Sequence, residues 1–181
     1  MSLSFMLFAA MLLASLLIAS VQTPRMRSVA ILVIVALAGC VSIPGQEAAQ
    51  VKDIIDRHNA SAVRWYAAGD VDSLVSLFAE DAWQMPPNSP PLVGRQAIRG
   101  FWRDAMKWGK WEFTLQAQNV SVSGPIAVER GKYSLKFTAS AGAPPGMVSF
   151  QDRGNYLVHW HLESDGQWRA VGDAPVSEMP R

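Results

Sequence analysis

The chain has 181 residues, 50% of them apolar, and a formal net charge of +1. All 15 acidic residues lie beyond Cys40 with 14 of the 16 basic ones, so this part carries about −1, which argues against nucleic acid, a partner that needs a clustered basic surface. The single cysteine excludes an intramolecular disulfide, so the fold must hold by its core alone.

The first forty residues contain two uncharged apolar runs. Leu3–Val21 is long enough for a transmembrane helix, which needs about 20 apolar residues, but no basic residue precedes it to set its orientation. Val29–Ala38 is too short to complete a membrane hairpin, because about ten helical residues do not cross ~30 Å of hydrocarbon. From Met26 onward, "MRSVAILVIVALAGC" has the basic, apolar and small-residue regions of a secretory signal peptide.

The end of this stretch, from Leu37 to Cys40, resembles a bacterial lipobox. The resemblance implies cleavage before Cys40 and a diacylglyceryl thioether on its sulfur. It also implies the outer membrane in a two-membrane cell, because Val41 is not aspartate. The alternative is an inert cysteine at the end of an ordinary membrane segment. We expect a lipid-anchored protein of the cell envelope with four parts: an upstream extension from a mis-assigned start at 1–25, a signal peptide at 26–39, a tether at 40–46 and a folded domain at 47–178.

Three amphipathic helices are predicted in the folded domain. Gly69 ends the first, and Asp70 caps the second, which closes at "AED". The proline-rich loop "WQMPPNSPPLVG" precedes the third helix. Apolar residues at helical spacing define the three buried stripes: Val51, Ile54, Ile55, His58, Ala62 and Trp65; Val71, Leu74, Val75 and Phe78; Ala97, Ile98, Phe101, Trp102 and Ala105.

The hydrophobic period changes to two at Trp111, which predicts four strands at 111–122, 132–137, 150–162 and 168–173. The apolar phase slips at Asn119, where we expect a β-bulge. A hairpin turn is predicted around Asp165-Gly166. Three helices followed by a meander predict an α+β fold, with the helices packed in the concave face of a strongly curved, mainly antiparallel sheet. The interior of such a cone can hold a ligand pocket.

Four segments resemble the NTF2-like superfamily, and in particular its SnoaL-like or DUF4440 branch: "WYAAGDVDSLVSLFAEDAWQMPP", "LVGRQAIRGFW", "AVERGKYSLKF" and "RGNYLVHWHLESDGQWRAVGD". The resemblance covers nearly the whole folded domain and implies the cone, a fold that hosts enzymes, binding modules and assembly subunits. Ketosteroid isomerase is a relative, but its general base and oxyanion-hole tyrosine have no counterpart here. Met85 or Pro86 stands at the first position and Ser61 or Ala62 at the second, so steroid isomerase chemistry is not expected.

Two carboxylates are candidate catalytic residues. Asp152 shares a strand face with Tyr156 and Trp160, and a carboxylate buried there would have a raised pKa suited to a general base. Alternatively, Gly154 turns the strand and leaves Asp152 at the rim in an ion pair with Arg153. Asp173 ends the last strand, either as a site residue or as the start of the exit turn. The ligand-lining candidates, which could equally be core or surface residues, are Trp65, Trp83, Gln84, Phe101, Tyr156 and Trp160.

His159 and His161 share the polar face of the third strand, but no third ligand stands at a specific spacing, so no metal site is predicted. No phosphate loop, dinucleotide fingerprint or nucleophile motif occurs, and no cofactor is predicted. His58 is expected to be a hydrogen-bonded core residue. The leading hypothesis is a lipid-anchored domain that binds a small apolar molecule. The alternatives are an isomerase-, cyclase- or hydrolase-type enzyme that uses a pocket carboxylate, and an assembly module whose outer sheet face forms a homodimer.

Overall fold

A computed structural model describes residues 44–179. The predicted lipobox with Cys40 and the two apolar runs therefore lie outside the described residues. The helices are α1 (Pro44–Ala68), α2 (Val71–Val75) and α3 (Arg95–Trp108). The first begins inside the expected tether. Within the described range, no helix combines the length and the hydrophobicity needed to cross a membrane.

The helix α1 ends where it was predicted to end, but the face that it buries is rotated from the predicted one. Gly69 has a φ of +72°, and the carboxylate of Asp70 accepts a hydrogen bond from the Ser73 N–H at 3.1 Å, which confirms the helix stop and the next N-cap. Three predicted stripe members, Ile54, His58 and Trp65, are only partly buried along the flanks. The residues that α1 buries are Val51, Ile55, Asn59, Ala62 and Tyr66.

The second helix is shorter than predicted. It ends at Val75, and Phe78–Gln84 forms a strand, β1, instead of the last helical turn and the start of the loop. Local spacing did not indicate this strand, because its partner is the last strand of the chain, with which it pairs in parallel. A further two-residue strand, β2 (Leu92–Val93), lies within the segment expected to be a loop and pairs with β1.

The predicted antiparallel meander is confirmed within a larger sheet. Its strands are β3 (Gly109–Ser123), β4 (Ile126–Ala139), β5 (Phe150–Leu162) and β6 (Trp168–Ser177), and the sheet order is β2-β1-β6-β5-β4-β3. A register shift between Ala117 and Asn119 confirms the expected bulge. Gly166, with a φ of +78°, occupies the predicted hairpin turn. The fold is the expected α+β cone, in which six strands replace four.

The core lies between the helices and the inner face of the sheet. Tyr156, Val158 and Trp160 of β5 are buried, whereas Leu157 between them is 48% exposed, so the predicted alternation of this strand is confirmed. The helix α1 packs chiefly against β3. Aromatic rings from α1, α3 and β3 fill one end of this space; Tyr66 and Phe113 lie 4.3 Å apart between ring centroids, for example.

Candidate functional site

Strand register places two carboxyl groups in one row across the inner face. Gln84 of β1 pairs with Asp173 of β6, Asp173 pairs with Val158 of β5, and Val158 pairs with Glu129 of β4. Directly paired residues project to the same face of a sheet. Asp173 and Glu129 therefore both point under the helices, with the apolar side chain of Val158 between them.

This row borders a cavity of about 120 Å³, which we call the inner chamber. A cavity of about 150 Å³ accommodates benzene, and the inner chamber is somewhat smaller, so it has room for a short branched group or part of a ring. Its walls are mostly aromatic and aliphatic, with the polar groups confined to a few positions. The main wall residues are Asn59, Ala62, Tyr66, Trp102, Tyr156, Val158, Trp160 and Asp173.

Asp173 is the carboxylate that the inner chamber exposes. Its Oδ2 atom accepts a hydrogen bond from Gln84 Nε2 at 3.0 Å, and Gln84 Oε1 in turn accepts one from Trp102 Nε1 at 2.8 Å. Among the described residues, no side chain or backbone group donates to Asp173 Oδ1. Burial raises the pKa of Asp173 to about 6, with a further contribution from the charge of Glu129, while the Gln84 hydrogen bond opposes the shift. This carboxyl group exchanges its proton close to neutral pH.

Glu129 is fully buried behind the chamber wall, and both of its carboxylate oxygens accept hydrogen bonds. Its Oε1 atom accepts hydrogen bonds from Asn59 Nδ2 and from the Tyr156 hydroxyl, both at 2.6 Å, and its Oε2 atom accepts one from Trp160 Nε1 at 2.9 Å. Burial raises the pKa of Glu129, and the three donors partly offset that effect. Because both oxygens are occupied, Glu129 orients Tyr156 and Trp160 instead of contacting the cavity.

A second cavity of about 340 Å³, the vestibule, adjoins the inner chamber. The two share four wall residues, namely Gln84, Trp102, Phe113 and Tyr133, which lie between them. The vestibule lies inside the ~300–1,000 Å³ range of small-molecule sites. Its remaining walls are mostly apolar: Pro86, Pro87, Phe101, Trp111, Leu135 and Phe150, with Asn88, Ser89, Asp152 and Ser177 as the polar members.

Asp152 lies in the vestibule wall and is held by neutral donors. Its Oδ2 atom accepts a hydrogen bond from the Tyr133 hydroxyl at 2.8 Å, and its Oδ1 atom accepts from the Ser177 hydroxyl at 2.6 Å and from the Arg153 backbone N–H at 2.7 Å. The contact with Arg153 is thus a backbone hydrogen bond, not the side-chain ion pair that one interpretation of the sequence expected. Asp152 stands at the outer cavity and Asp173 at the inner one.

The structure brings most of the predicted ligand-lining residues to these cavities. Tyr156 and Trp160 line the inner chamber, Phe101 lines the vestibule, and Gln84 lines both. Trp83 requires a correction, because it is 48% exposed and lies in neither wall. Alternation along β1 turns Trp83 outward when its neighbour Gln84 faces inward.

Trp65 also requires a correction. It lies partly buried on the flank of α1, and the next residue, Tyr66, lines the inner chamber in its place. The buried stripe of α1 includes the polar Asn59, which a search for apolar residues passes over. Glu129 was missed as well, although extending the two-residue period of β4 back from Tyr133 puts it on the inner face.

The histidines lie apart from the cavity walls. His159 and His161 are partly exposed, and His161 Nδ1 is 3.9 Å from Glu163 Oε1. His58 stacks on Trp160 with 5.7 Å between ring centroids, but its buried Nε2 atom has no hydrogen-bond partner, contrary to expectation. In residues 44–179, no group of three or more histidine, cysteine, aspartate or glutamate side chains is arranged to hold a metal ion.

A family model described as the SnoaL-like domain matches residues 57–171, which is more than half of the chain. The matched segment includes every residue of the inner chamber described above except Asp173, which lies two residues beyond its end. No curated protein matches the chain at a significant level.

Solved structures share the fold at low sequence identity. An NTF2-like superfamily protein from Salmonella enterica serovar Typhimurium is 17% identical with a TM-score of 0.61, and the match covers 73% of this chain and 94% of that one. A ketosteroid isomerase-like protein from Erwinia carotovora atroseptica is 15% identical with a TM-score of 0.60 over 71% and 96% of the two chains. Aln2 from a Streptomyces species is 13% identical with a TM-score of 0.59 over 71% and 91%. These likenesses show the cone architecture.

Proposed function

The chain belongs to the SnoaL-like domain family, and from that premise we propose that its cone binds a small, mostly apolar molecule that carries one polar group. The observation that carries this proposal is the pair of adjoining cavities with a carboxylate at the inner end. The fold alone does not assign a function, because the same architecture hosts several kinds of protein. The function is therefore inferred from the residues of the site.

The dimensions of the two cavities favour a ligand of modest size. The inner chamber of about 120 Å³ takes a short branched group or part of a ring, and the vestibule of about 340 Å³ takes the rest of the molecule. The residues between the two cavities are aromatic rings and Gln84, which is fixed by its hydrogen bonds to Trp102 and Asp173. A largely apolar ligand gains from leaving water for such walls, at roughly 25 cal/mol per Å² of buried area.

The polar group of the ligand is expected to meet Asp173. Asp173 lines the inner chamber, and its Oδ1 atom has no hydrogen-bond donor in the part of the chain that the structure describes. A few convergent polar groups in an otherwise apolar pocket fix the orientation of a ligand. We therefore place the polar end of the ligand in the inner chamber and its apolar body toward the vestibule.

Filling the inner chamber tests the proposal. Benzyl alcohol serves as the probe, and its binding to the purified chain is measured by calorimetry and by tryptophan fluorescence. We expect saturable binding that the Ala62→Leu variant weakens at least tenfold, because residue 62 lines the chamber. The matched control is Ala60→Leu on the exposed face of the same helix, which should bind as the parent does. Equal binding by both variants, with both folded by circular dichroism, would contradict the proposal.

A second candidate function is proton transfer by Asp173. The observation that favours it is a cavity-facing carboxyl group with a pKa near 6, since an efficient general base has a pKa close to the working pH. The probe is hydrogen–deuterium exchange at the carbons next to the carbonyl of cyclohexanone, followed by mass spectrometry. An exchange rate that rises with pH through about 6 and disappears in Asp173→Asn would support catalysis. Equal rates in the parent and the variant would exclude this role.

For the amino-terminal segment, we propose lipid attachment at Cys40 and a location in the cell envelope. The support is the pattern of a basic residue, an apolar run and the sequence Leu-Ala-Gly-Cys, followed directly by the domain. Mass spectrometry of the mature amino terminus tests it. An amino terminus at Cys40 with acyl mass supports the proposal, and an unmodified Cys40 within a longer chain contradicts it.

A further inference from the structure

The charged side chains that border the two cavities are all acidic. Asp173 lies in the wall of the inner chamber and Asp152 in that of the vestibule, while Glu129 lies just behind Tyr156 and Trp160. Within the described residues, neither wall contains a lysine, an arginine or a histidine. The walls differ in this from the domain as a whole, which contains nearly equal numbers of acidic and basic residues.

Of the three carboxylates, Asp173 alone has an oxygen that accepts no hydrogen bond from the described residues. Both oxygens of Asp152 accept hydrogen bonds from neutral donors, and so do both oxygens of Glu129. Among the described residues, the side chain of Asp173 accepts one hydrogen bond, from Gln84 to Oδ2. The inner end of the two cavities therefore has a carboxylate with one oxygen that no described residue contacts by a hydrogen bond.

The walls around that oxygen favour positive charge further. Tyr66, Trp102, Tyr156 and Trp160 line the inner chamber. The faces of aromatic rings attract cations, and the attraction strengthens as the cation loses its water. An anion would meet the opposite situation, because it would approach Asp173 in a water-poor space where like charges repel strongly.

We propose that the ligand of the cone is a protonated organic amine, whose ammonium group donates a hydrogen bond to Asp173 Oδ1 and whose apolar body extends toward the vestibule. This inference rests on the proposed binding function and adds the chemical class of the ligand. A primary or secondary ammonium fits better than a quaternary one, because the open position at Oδ1 is a hydrogen-bond acceptor site.

The groups that surround Asp173 leave its charge uncompensated. Glu129 of β4 adds negative charge, Tyr66 of α1 and Tyr156 of β5 have pKa values raised by burial and remain neutral, and Gln84 of β1 is uncharged. A partly buried carboxylate without a cationic partner is costly, and an entering ammonium group relieves that cost. The ligand would therefore supply the partner that the chain lacks in this wall.

Three probes of nearly equal size test the inference: benzylamine, benzyl alcohol and benzoate. Their affinities for the purified chain are measured by calorimetry at pH 7.5. We expect benzylamine to bind at least tenfold more tightly than benzyl alcohol, and benzoate more weakly than either. Asp173→Asn should abolish the preference for the amine, so that the variant binds benzylamine no more tightly than it binds benzyl alcohol. The melting temperature of the variant shows that it is folded.

The outcomes separate this inference from the proposed function. If benzylamine and benzyl alcohol bind equally well, or if Asp173→Asn leaves the preference for the amine intact, the amine assignment is overturned while the binding function stands. If none of the three probes binds, both are overturned. Lowering the pH below about 6 gives an independent test, because Asp173 then gains a proton. The affinity for the amine should then fall toward that for the alcohol, whose own affinity should change less.

Discussion

Asp173 weakens the fold at neutral pH. In the unfolded chain its pKa is near the ordinary 3.8, and in the folded chain burial raises the pKa to about 6. Between these values the folded state binds a proton that the unfolded state does not, so the free energy of unfolding falls as the pH rises from about 4 to 6. Above pH 6 the loss is complete and constant.

Asp173→Asn should therefore stabilise the protein at pH 7 and leave its stability at pH 4 nearly unchanged. A pKa displaced from 3.8 to about 6 corresponds to at most about 3 kcal/mol. Urea unfolding at a series of pH values measures the effect. Asp165→Asn is a control that should change stability in the opposite direction. Hydrogen bonds from Arg169 lower the pKa of the exposed Asp165, so removing this carboxylate should slightly destabilise the protein at pH 7. A variant at position 173 that is equally stabilised at pH 4 would contradict the argument.

Glu129, unlike Asp173, stabilises the fold, because it accepts hydrogen bonds from three buried donors. Glu129→Ala would leave Asn59 Nδ2, the Tyr156 hydroxyl and Trp160 Nε1 without this acceptor. Each buried donor without a partner costs about 1 to 3 kcal/mol, so we expect a loss of about 3 to 5 kcal/mol in urea unfolding. The matched control is Glu112→Ala on β3, where the ion pair with Lys110 is exposed to water and contributes little to stability. Similar losses in the two variants would refute this assignment of Glu129.

At the scale of strands, the position of Tyr156 depends on a glycine in the neighbouring strand. Gly131 of β4 pairs with Tyr156 of β5, and the phenol ring lies across the glycine on its way to Glu129. A Cβ atom at position 131 would overlap that ring and approach the backbone carbonyl of Gln116, so the two strands cannot absorb it by moving one side chain.

Gly131→Ala should displace Tyr156, break its hydrogen bond to Glu129 and lower both stability and ligand affinity. The expected loss in stability is about 1 to 3 kcal/mol, typical of overpacking in a core. Thermal unfolding and benzyl alcohol titration measure the two effects. The control is Gly100→Ala in α3, which has open space at its Cβ position and should be neutral or stabilising. Gly124→Ala would not serve, because the φ of +57° at Gly124 is itself unfavourable for alanine. If the two alanine variants at positions 131 and 100 behave alike, the packing argument fails.

The elements differ in how far the sequence predicts them. The alternation of β5 and the bulge in β3 follow from local hydrophobic period, and both were predicted. The strand β1 was not, because its existence depends on parallel pairing with β6, some ninety residues later in the chain. The face of α1 was misplaced for a similar reason, since Asn59 is buried only because Glu129 on a distant strand accepts its hydrogen bond.

The same distinction explains the candidate site. Gln84 and Asp173 were each singled out, but their contact across β1 and β6 required the topology. Asp152 and Asp173 were both candidates in the sequence, with Asp152 favoured, and they differ in the fold because Tyr133 and Ser177 donate hydrogen bonds to the two oxygens of Asp152. Hydrogen-bond donors on other strands decide which carboxylate oxygen is left for a ligand, and which strands become neighbours cannot be inferred from the local sequence pattern.

At the scale of the whole molecule, the lipid attachment proposed at Cys40 has a consequence for where the chain fractionates. Each buried acyl CH₂ contributes about 0.8 kcal/mol, so several chains on one residue hold a protein firmly on a membrane, whereas a thiol alone does not. Cys40→Ser should therefore move the protein from the membrane pellet to the soluble fraction, or leave the precursor unprocessed at a higher mass. Immunoblotting after carbonate extraction, with mass spectrometry of the product, measures both results.

Ser42→Ala is the matched control for this change, because it alters a neighbouring residue of similar size and leaves the lipobox residues intact. It should remain in the pellet at the mature mass. A Cys40→Ser protein that stays in the pellet after carbonate treatment at the same mass as the parent would contradict lipid attachment. That result would instead favour a membrane helix over Leu3–Val21, because 19 uncharged residues hold a chain in the bilayer without any contribution from the cysteine.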